Sequence, residues 1–170
     1  MMKDSKLKIS KNAAQGKRFA IIVSSYHESL TVKLQEGAEE TLKSYGAKAD
    51  DISTYWVPGA FEIPAAARQV VQHQTVDAIL CLGIILKGET THNKYIAREV
   101  ARGIAQIHAG SGVPAIFGVL TPDTLEQAKA RSGGSKENKG VEAAEAAIAM
   151  IDVLNEIKQG SKKPNKSVGF

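Results

Sequence analysis

One stretch decides the fold of this chain: Asp77-Ala-Ile-Leu-Cys-Leu-Gly-Ile-Ile-Leu-Lys-Gly-Glu-Thr-Thr-His92. Its apolar first part, which extends to Leu86, predicts a strand that is buried on both faces, as strands of parallel sheets are. Gly88 then turns the chain, and a helix is expected to begin near Thr90 or Thr91. The stretch therefore predicts a strand, a turn and a helix start, the unit from which parallel α/β sheets are built.

The end of this stretch also indicates chemistry. The first N–H groups of a helix have no partner within the helix, and the helix dipole is positive there, so an oxyanion or phosphate binds well. His92 falls in the first turn, and an imidazole gives and takes protons near neutral pH. However, Thr90 and Thr91 are also good helix caps, and a first-turn histidine is often only solvated. From these residues alone, an anion site beside a proton carrier and a plain helix start both remain open.

Strands and single helices alternate along the rest of the chain. Strands joined by single helices imply right-handed crossovers and a parallel sheet with helices on both faces. We therefore predict an α/β fold, a three-layer sandwich of the flavodoxin-like type with a four-stranded parallel sheet. The predicted strands are Arg18–Ser25, Ile52–Val57, Asp77–Leu86 and Pro114–Leu120, and the predicted helices are Ser29–Tyr45, Glu62–Gln74, Thr91–Ala109, Thr124–Ala130 and Asn138–Lys158.

Length and composition limit the class of protein. The 170 residues, 43% of them hydrophobic, suit one domain, predicted at 18–158 between basic tails at 1–17 and 159–170. No apolar stretch approaches the roughly 20 residues of a membrane span, and the first residues lack a signal-peptide pattern, so we expect a cytoplasmic protein without membrane contact. The net charge of +4 lies in aperiodic ends, which favours solvated tails over a nucleic-acid surface. The lone Cys81 is expected to pack in the core.

Several chemically suggestive side chains follow the predicted strands, where parallel sheets bind ligands. Tyr26 and Phe61 could stack on a planar heterocycle, or simply pack at the rim. Glu62 could accept hydrogen bonds from a ligand, although a carboxylate also stabilises a helix start. Arg131 and Lys139 flank a glycine-rich break and could clamp an anion, but cations in such loops are usually solvated.

Common cofactor and nucleophile motifs are missing from the sequence. It has no Gly-x-Gly-x-x-Gly after a strand, no Walker pattern, no zincin histidine pair and no Gly-x-Ser-x-Gly elbow. Phe117 lies in the middle of an apolar strand, so a core position is favoured for it. The remaining interpretation is a pocket with aromatic and anion-binding groups, one imidazole and no cofactor fingerprint.

Four motifs follow one another along the predicted fold: Val57-Pro-Gly-Ala-Phe-Glu-Ile-Pro64, Leu82-Gly83 leading to Lys87-Gly-Glu-Thr-Thr-His92, Gly112-Val-Pro-Ala-Ile-Phe-Gly118, and Asn138-Lys-Gly140 after Arg131. In this order they resemble those of 6,7-dimethyl-8-ribityllumazine synthases, the family that performs the penultimate step of riboflavin biosynthesis. The match extends from about Arg18 to Leu154. The resemblance implies a transferase that condenses 5-amino-6-(D-ribitylamino)uracil with 3,4-dihydroxy-2-butanone 4-phosphate and needs no cofactor or metal.

The resemblance also implies a role for each site residue. His92 would be the principal proton carrier, and Phe117, Arg131 and Lys139 would come from the neighbouring subunit. The phosphate would be held by Gly88, Glu89, Thr90, Thr91 and Arg131. The pyrimidine and ribityl groups would meet Tyr26, His27, Ala60, Phe61, Glu62, Ile63, Ile84, Ile85, Leu86, Phe117 and Lys139.

Assembly and two departures from the family pattern complete this interpretation. The resemblance implies a homo-oligomer of pentamers, built into an icosahedral shell, and association with riboflavin synthase. Asn93 and Lys94 stand where an aromatic and an acidic residue are common, which removes an acidic partner for the imidazole. Glu137 stands where shell-forming members usually have glycine. A non-catalytic flavin- or lumazine-binding relative of the same fold is the alternative.

Overall fold

Four parallel strands form the central sheet of the computed structural model, which describes residues 8–133 and 138–160. The strands lie in the order β2-β1-β3-β4, with every neighbouring pair parallel. This arrangement confirms the predicted α/β three-layer fold. The strands are β1 (Phe19–Ser24), β2 (Ile52–Val57), β3 (Ala78–Ile84) and β4 (Ala115–Leu120).

Helices cover both faces of this sheet. The predicted bounds differ from the observed ones by one or two residues at most ends, as is usual where elements fray. Among the described residues, no helix combines the length and the apolar character needed to cross a membrane. The helices are α1 (Glu28–Ser44), α2 (Ile63–His73), α3 (His92–Ser111), α4 (Leu125–Arg131) and α5 (Lys139–Gly160), with single 3-10 turns at Ala49–Asp51 and Ala60–Glu62.

The sheet separates two apolar layers. Phe19 and Val23 of β1 pack in the layer formed with α1 and α5, whereas Ala20 and Ile22 pack in the layer formed with α2 and α3. Successive side chains of a strand point to opposite faces, so a strand between two helical layers must be apolar at every position. This requirement explains the continuous apolar run of β3, whose residues are all buried.

A close contact between α1 and α5 fixes the start of the last helix. A Cβ atom added to Gly140 would overlap the backbone carbonyl oxygen of Leu34, so only glycine allows this approach. The side chain of Asn138 donates from Nδ2 to the carbonyl oxygen of Lys33 at 2.8 Å and accepts from the N–H of Gly140 at 2.7 Å. These contacts hold Asn138 and the first residues of α5 against α1.

The N-terminal segment differs from the solvated tail that we predicted. Ala14 is fully buried, and its N–H donates to the carbonyl oxygen of Tyr45 at 2.9 Å. Ile9 and Ala13 pack against the same core layer. The apolar residues between the lysines therefore determine the position of residues 8–17. Residues 1–7 and 161–170, to which the prediction of basic tails also applied, lie outside the described residues.

Candidate active site

A cavity of about 410 Å³ opens at the carboxyl end of the sheet. The chain passes from β1 to β2 on one side and returns to β3 on the other, so the cavity lies at the switch in strand order where ligands bind in open α/β sheets. Turns after three strands and the start of α3 line it. The lining residues are Tyr26, Gly59, Ala60, Phe61, Glu62, Ile84, Ile85, Leu86, Gly88, Thr90, His92, Asn93 and Ile96.

Hydrogen bonds between neighbouring turns hold the cavity walls in place. The backbone N–H and the hydroxyl of Ser25 both donate to the carbonyl oxygen of Val57, at 2.8 and 3.0 Å. The N–H of Lys87 donates to the carbonyl oxygen of Pro122 at 3.1 Å, and Lys87 Nζ lies 3.6 Å from Asp123 Oδ1. The turn after β1 is thus tied to β2, and the turn after β3 to the turn after β4.

The start of α3 forms the polar side of the cavity. The helix begins at His92 with Thr91 as the N-cap residue. The N–H of His92 donates to Thr90 Oγ1 at 3.4 Å, and the N–H of Lys94 donates to the carbonyl oxygen of Thr91 at 3.0 Å. The positive end of the helix dipole therefore lies beside Gly88 and Thr90 in the cavity wall, which favours an oxyanion there.

Two aromatic side chains stand at the rim. Tyr26 is 67% exposed and Phe61 is 58% exposed, although both follow buried or half-buried strands. The fold does not need these rings in its core, so they present flat apolar surface beside the cavity. Such faces suit a planar heterocycle, which stacks on aromatic rings.

The inner wall of the cavity is apolar. Ala60, Ile84 and Ile85 are buried, and Leu86 is half-buried. The carboxylate of Glu62 lies close to the turn before it, since a Cβ added to Gly59 would be 3.0 Å from Glu62 Oε2. The site thus combines apolar walls with a small number of polar groups, as ligand cavities commonly do.

Some of the predicted site residues do not line this cavity. His27 precedes α1 behind Tyr26, and Ile63 is completely buried in the core. Glu89 and Thr91 are exposed on the loop before α3. The remaining ones, which the resemblance assigned to a neighbouring subunit, are Phe117, Arg131 and Lys139.

Arg131 and Lys139 share one carboxylate. Arg131 Nη2 lies 3.2 Å from Glu142 Oε1, and Lys139 Nζ lies 2.8 Å from Glu142 Oε2. Arg131 faces a second cavity, with Thr121 and Pro122, on the β4 side of the sheet. The structure therefore brings the two cations together, and neither of them lines the cavity that contains His92.

The exposure of Phe117 differs from the prediction. It was expected in the core, but its side chain is 39% exposed. β4 is one of the two edge strands, so a side chain in its middle lacks a neighbouring strand on one side. Burial along the strand is accordingly mixed, with Phe117 exposed between buried Ala115 and buried Gly118.

Cys81 has the structural role that the sequence predicted. Its side chain is buried in β3, and desolvation raises its pKa from 9.0 to about 12. A thiol that stays neutral at pH 7 is a poor nucleophile and a poor metal ligand. Within residues 8–133 and 138–160, no group of three or more His, Cys, Asp or Glu side chains is placed to hold a metal ion.

Three of the lining residues were not predicted from the sequence to belong to the site. Gly59 lies inside a recognised motif, but Asn93 was noted only as a departure and Ile96 not at all. Helical spacing could have found both, because residues one and four positions after His92 share part of one helix face. Asn93 Oδ1 is buried without a hydrogen-bond partner in the described part of the chain.

The fold and the cavity define a parallel α/β protein with a ligand site at the carboxyl edge of its sheet. The family model described as 6,7-dimethyl-8-ribityllumazine synthase matches residues 16–155. Because this match covers most of the chain, the chain belongs to the 6,7-dimethyl-8-ribityllumazine synthase family, a transferase family of riboflavin biosynthesis. The resemblance drawn from the four motifs is thereby confirmed.

Proposed function

We propose that this chain condenses 5-amino-6-(D-ribitylamino)uracil with 3,4-dihydroxy-2-butanone 4-phosphate to 6,7-dimethyl-8-ribityllumazine, the specific reaction of its family. One observation carries the proposal: a single cavity joins exposed aromatic rings, the start of α3 and His92. The rings suit the pyrimidine, the helix start suits the phosphate, and the imidazole suits the proton transfers between them.

The chemistry requires proton transfer at each step and no electron carrier. The 5-amino group attacks the ketone carbon, and loss of one water gives an imine. Loss of the C3 proton then expels phosphate from C4 and leaves an enol, and transfer of a proton to C4 converts this enol into a methyl ketone with its carbonyl at C3. The ribityl-bearing nitrogen attacks the second carbonyl carbon, and loss of a second water completes the ring.

His92 is the proton carrier in this proposal. Its side chain lines the cavity near Gly88 and Thr90, so one imidazole reaches both the reacting carbon chain and the departing phosphate. Phosphate bound at the helix start is stabilised as a leaving group by N–H donors and the dipole. Orientation of the two reactants can supply about 7 to 11 kcal/mol, more than acid–base assistance usually does.

A neighbouring subunit completes the site. Phe117, Arg131 and Lys139 do not line the His92 cavity of their own chain: Phe117 is exposed on the β4 side, and Arg131 and Lys139 share Glu142. In a ring of subunits, this side of one chain meets the cavity of the next. Arg131 then reaches the phosphate in the neighbouring cavity, and Lys139 and Phe117 contact the pyrimidine there. We therefore propose a cytoplasmic homo-oligomer of pentamers, arranged in an icosahedral shell that associates with riboflavin synthase. Glu137, which stands where shell-forming members usually have glycine, lies outside the described residues.

The test mixes the purified protein with both substrates and follows lumazine fluorescence. A protein-free sample is the control, because the condensation also proceeds without catalyst. Acceleration above this control is expected. A protein that binds the pyrimidine but leaves the rate at the control value would instead be the non-catalytic flavin- or lumazine-binding relative. Sedimentation of the same sample measures the assembly, and a monomer would contradict the shared site.

A further inference from the structure

Asn93 carries a buried polar atom that the fold does not explain. Its side chain lines the cavity, as do His92 before it and Ile96 one turn later. Its oxygen Oδ1 is buried and has no hydrogen-bond partner among the residues that the structure describes. Ser24 Oγ is the other such atom, but Ser24 does not line the cavity.

Buried polar atoms normally have partners, because an unpaired one loses its hydrogen bonds to water without replacement. An amide in a cavity wall can regain them when a ligand enters. The terminal torsion of an asparagine is soft, so rotation about χ2 brings either the oxygen or the NH₂ group to the cavity side. Asn93 can therefore form a hydrogen bond to a ligand, as donor or as acceptor, and Oδ1 has no bond to the described part of the protein to lose.

We propose that the Asn93 carboxamide hydrogen-bonds the heterocycle of the pyrimidine substrate and thereby helps to select it. This inference rests on the proposed function, because the ligand class is taken from it. A uracil ring presents N–H and C=O groups along its edge, and the carboxamide can accept from the one or donate to the other, according to its χ2 angle. A site that hydrogen-bonds its ligand in this way also rejects analogues that lack those groups.

We assign the pyrimidine and not the phosphate to Asn93. The N–H groups and the dipole at the start of α3 suit the phosphate, whereas a carboxamide offers the acceptor that a uracil N–H needs and that a phosphate cannot use. The carboxamide and the helix start consequently recognise different substrates. Removing the carboxamide should weaken pyrimidine binding and leave phosphate binding unchanged.

The experiment compares the wild type with Asn93→Leu, since leucine keeps the approximate size of the side chain but has no donor or acceptor. Calorimetry measures binding of 5-amino-6-(D-ribitylamino)uracil, kept under anaerobic conditions, and of inorganic phosphate in separate titrations. We expect pyrimidine affinity to fall about tenfold, the value of one hydrogen bond of ordinary strength. The affinity for phosphate should match that of the wild type.

Unfolding in urea gives a second readout, which a purely structural role would move in the opposite direction. Asn93→Leu should unfold at the same urea concentration as the wild type or a higher one, because the oxygen has no protein partner to lose. Asn138→Leu is the matched control, because Nδ2 and Oδ1 of Asn138 both form hydrogen bonds with the protein. Asn138→Leu should unfold at a lower concentration.

Two results would overturn the inference. One is an unchanged pyrimidine affinity in Asn93→Leu; the other is a joint loss of pyrimidine and phosphate affinity with a lower unfolding midpoint.

Should Asn93→Leu not fold, Asn93→Ala takes its place with the same expected difference between the two ligands. A wild type that binds the pyrimidine without accelerating lumazine formation contradicts the proposed reaction only. A wild type that does not bind the pyrimidine contradicts both.

Discussion

The ring of Tyr26 packs edge-on against the ring of His27, with the centroids 4.7 Å apart and the planes inclined at 73°. His27 has a φ of 62°, the one positive φ of a non-glycine residue in the described part of the chain. Left-handed backbone costs free energy in such a residue, and strain of this kind often occurs at ligand sites. The turn therefore holds Tyr26 at the cavity rim through an unfavourable backbone conformation at its neighbour.

Replacing His27 tests this strain. His27→Gly should be more stable than His27→Ala by about 1 kcal/mol, because glycine adopts the left-handed region without the steric cost that alanine has. Urea unfolding at equal protein concentration measures the difference. Equal stabilities would mean that the turn relaxes to right-handed backbone when the imidazole is removed.

Replacing His92 tests the proposed proton carrier. His92→Ala should lower kcat by about 10²-fold without abolishing turnover, because positioning of the substrates survives the substitution. Initial rates of lumazine formation, corrected for the protein-free reaction, give this value. His73→Ala, on the exposed side of α2 and outside the cavity, should keep the wild-type rate. Complete loss of product from an assembled His92→Ala protein would contradict the prediction.

Replacing Arg131 separates stability from binding. Arg131→Ala should change the free energy of unfolding by no more than about 0.5 kcal/mol, because its ion pair with Glu142 is partly exposed. The same change should raise KM for the butanone phosphate by roughly 10- to 100-fold if Arg131 reaches a neighbour's phosphate. Lys129→Ala, an exposed cation on the same helix, is the control and should alter neither value. An unchanged KM in Arg131→Ala would remove this residue from the phosphate site.

Replacing Gly140 tests the approach of α1 to α5. Gly140→Ala should destabilise the protein by about 3 kcal/mol or more, because the new methyl group would overlap the carbonyl oxygen of Leu34 in a packed core. Gly110→Ala is the control: it is also helical but has nothing within 4 Å of an added Cβ, and should gain about 0.5 kcal/mol. Thermal unfolding of both variants measures the two changes in stability. A Gly140→Ala protein as stable as the wild type would show that the helices separate at low cost.

The buried thiol of Cys81 predicts a pH dependence. Because desolvation raises its pKa from 9.0 to about 12, the folded protein keeps this proton where the unfolded chain has lost it. The contribution to stability is complete below the unfolded pKa and falls as pH rises towards the folded one, by up to about 1.4 kcal/mol per pH unit. The stability difference between wild type and Cys81→Ala, from urea unfolding at pH 8 to 10.5, should therefore shrink as pH rises. A constant difference would indicate that the thiol ionises freely in the folded state.

Only some features of this fold depend on neighbouring residues alone. The buried strand β3 and a helix start within two residues of His92 were predictable from neighbouring residues, because strand period and helix capping act over a few positions. The burial of Ile63 and the exposure of Phe117 were not. The exposure of Phe117 depends on the position of its strand at an edge of the sheet, and the burial of Ile63 depends on the packing of its helix. Neither property can be predicted from the few residues on each side.

The sequence by itself determined the element order, the parallel three-layer fold, the family and the loops that carry the site, since these follow from periodicity, turn residues and motif order. Tertiary structure alone decided which of those residues share a cavity. It left Arg131 and Lys139 bound to Glu142 on the β4 side, placed Asn93 in the cavity wall and packed Ala14 in the core. The physical reason is that burial and pairing depend on contacts between segments far apart in sequence, whereas the patterns that build strands and helices depend on near neighbours.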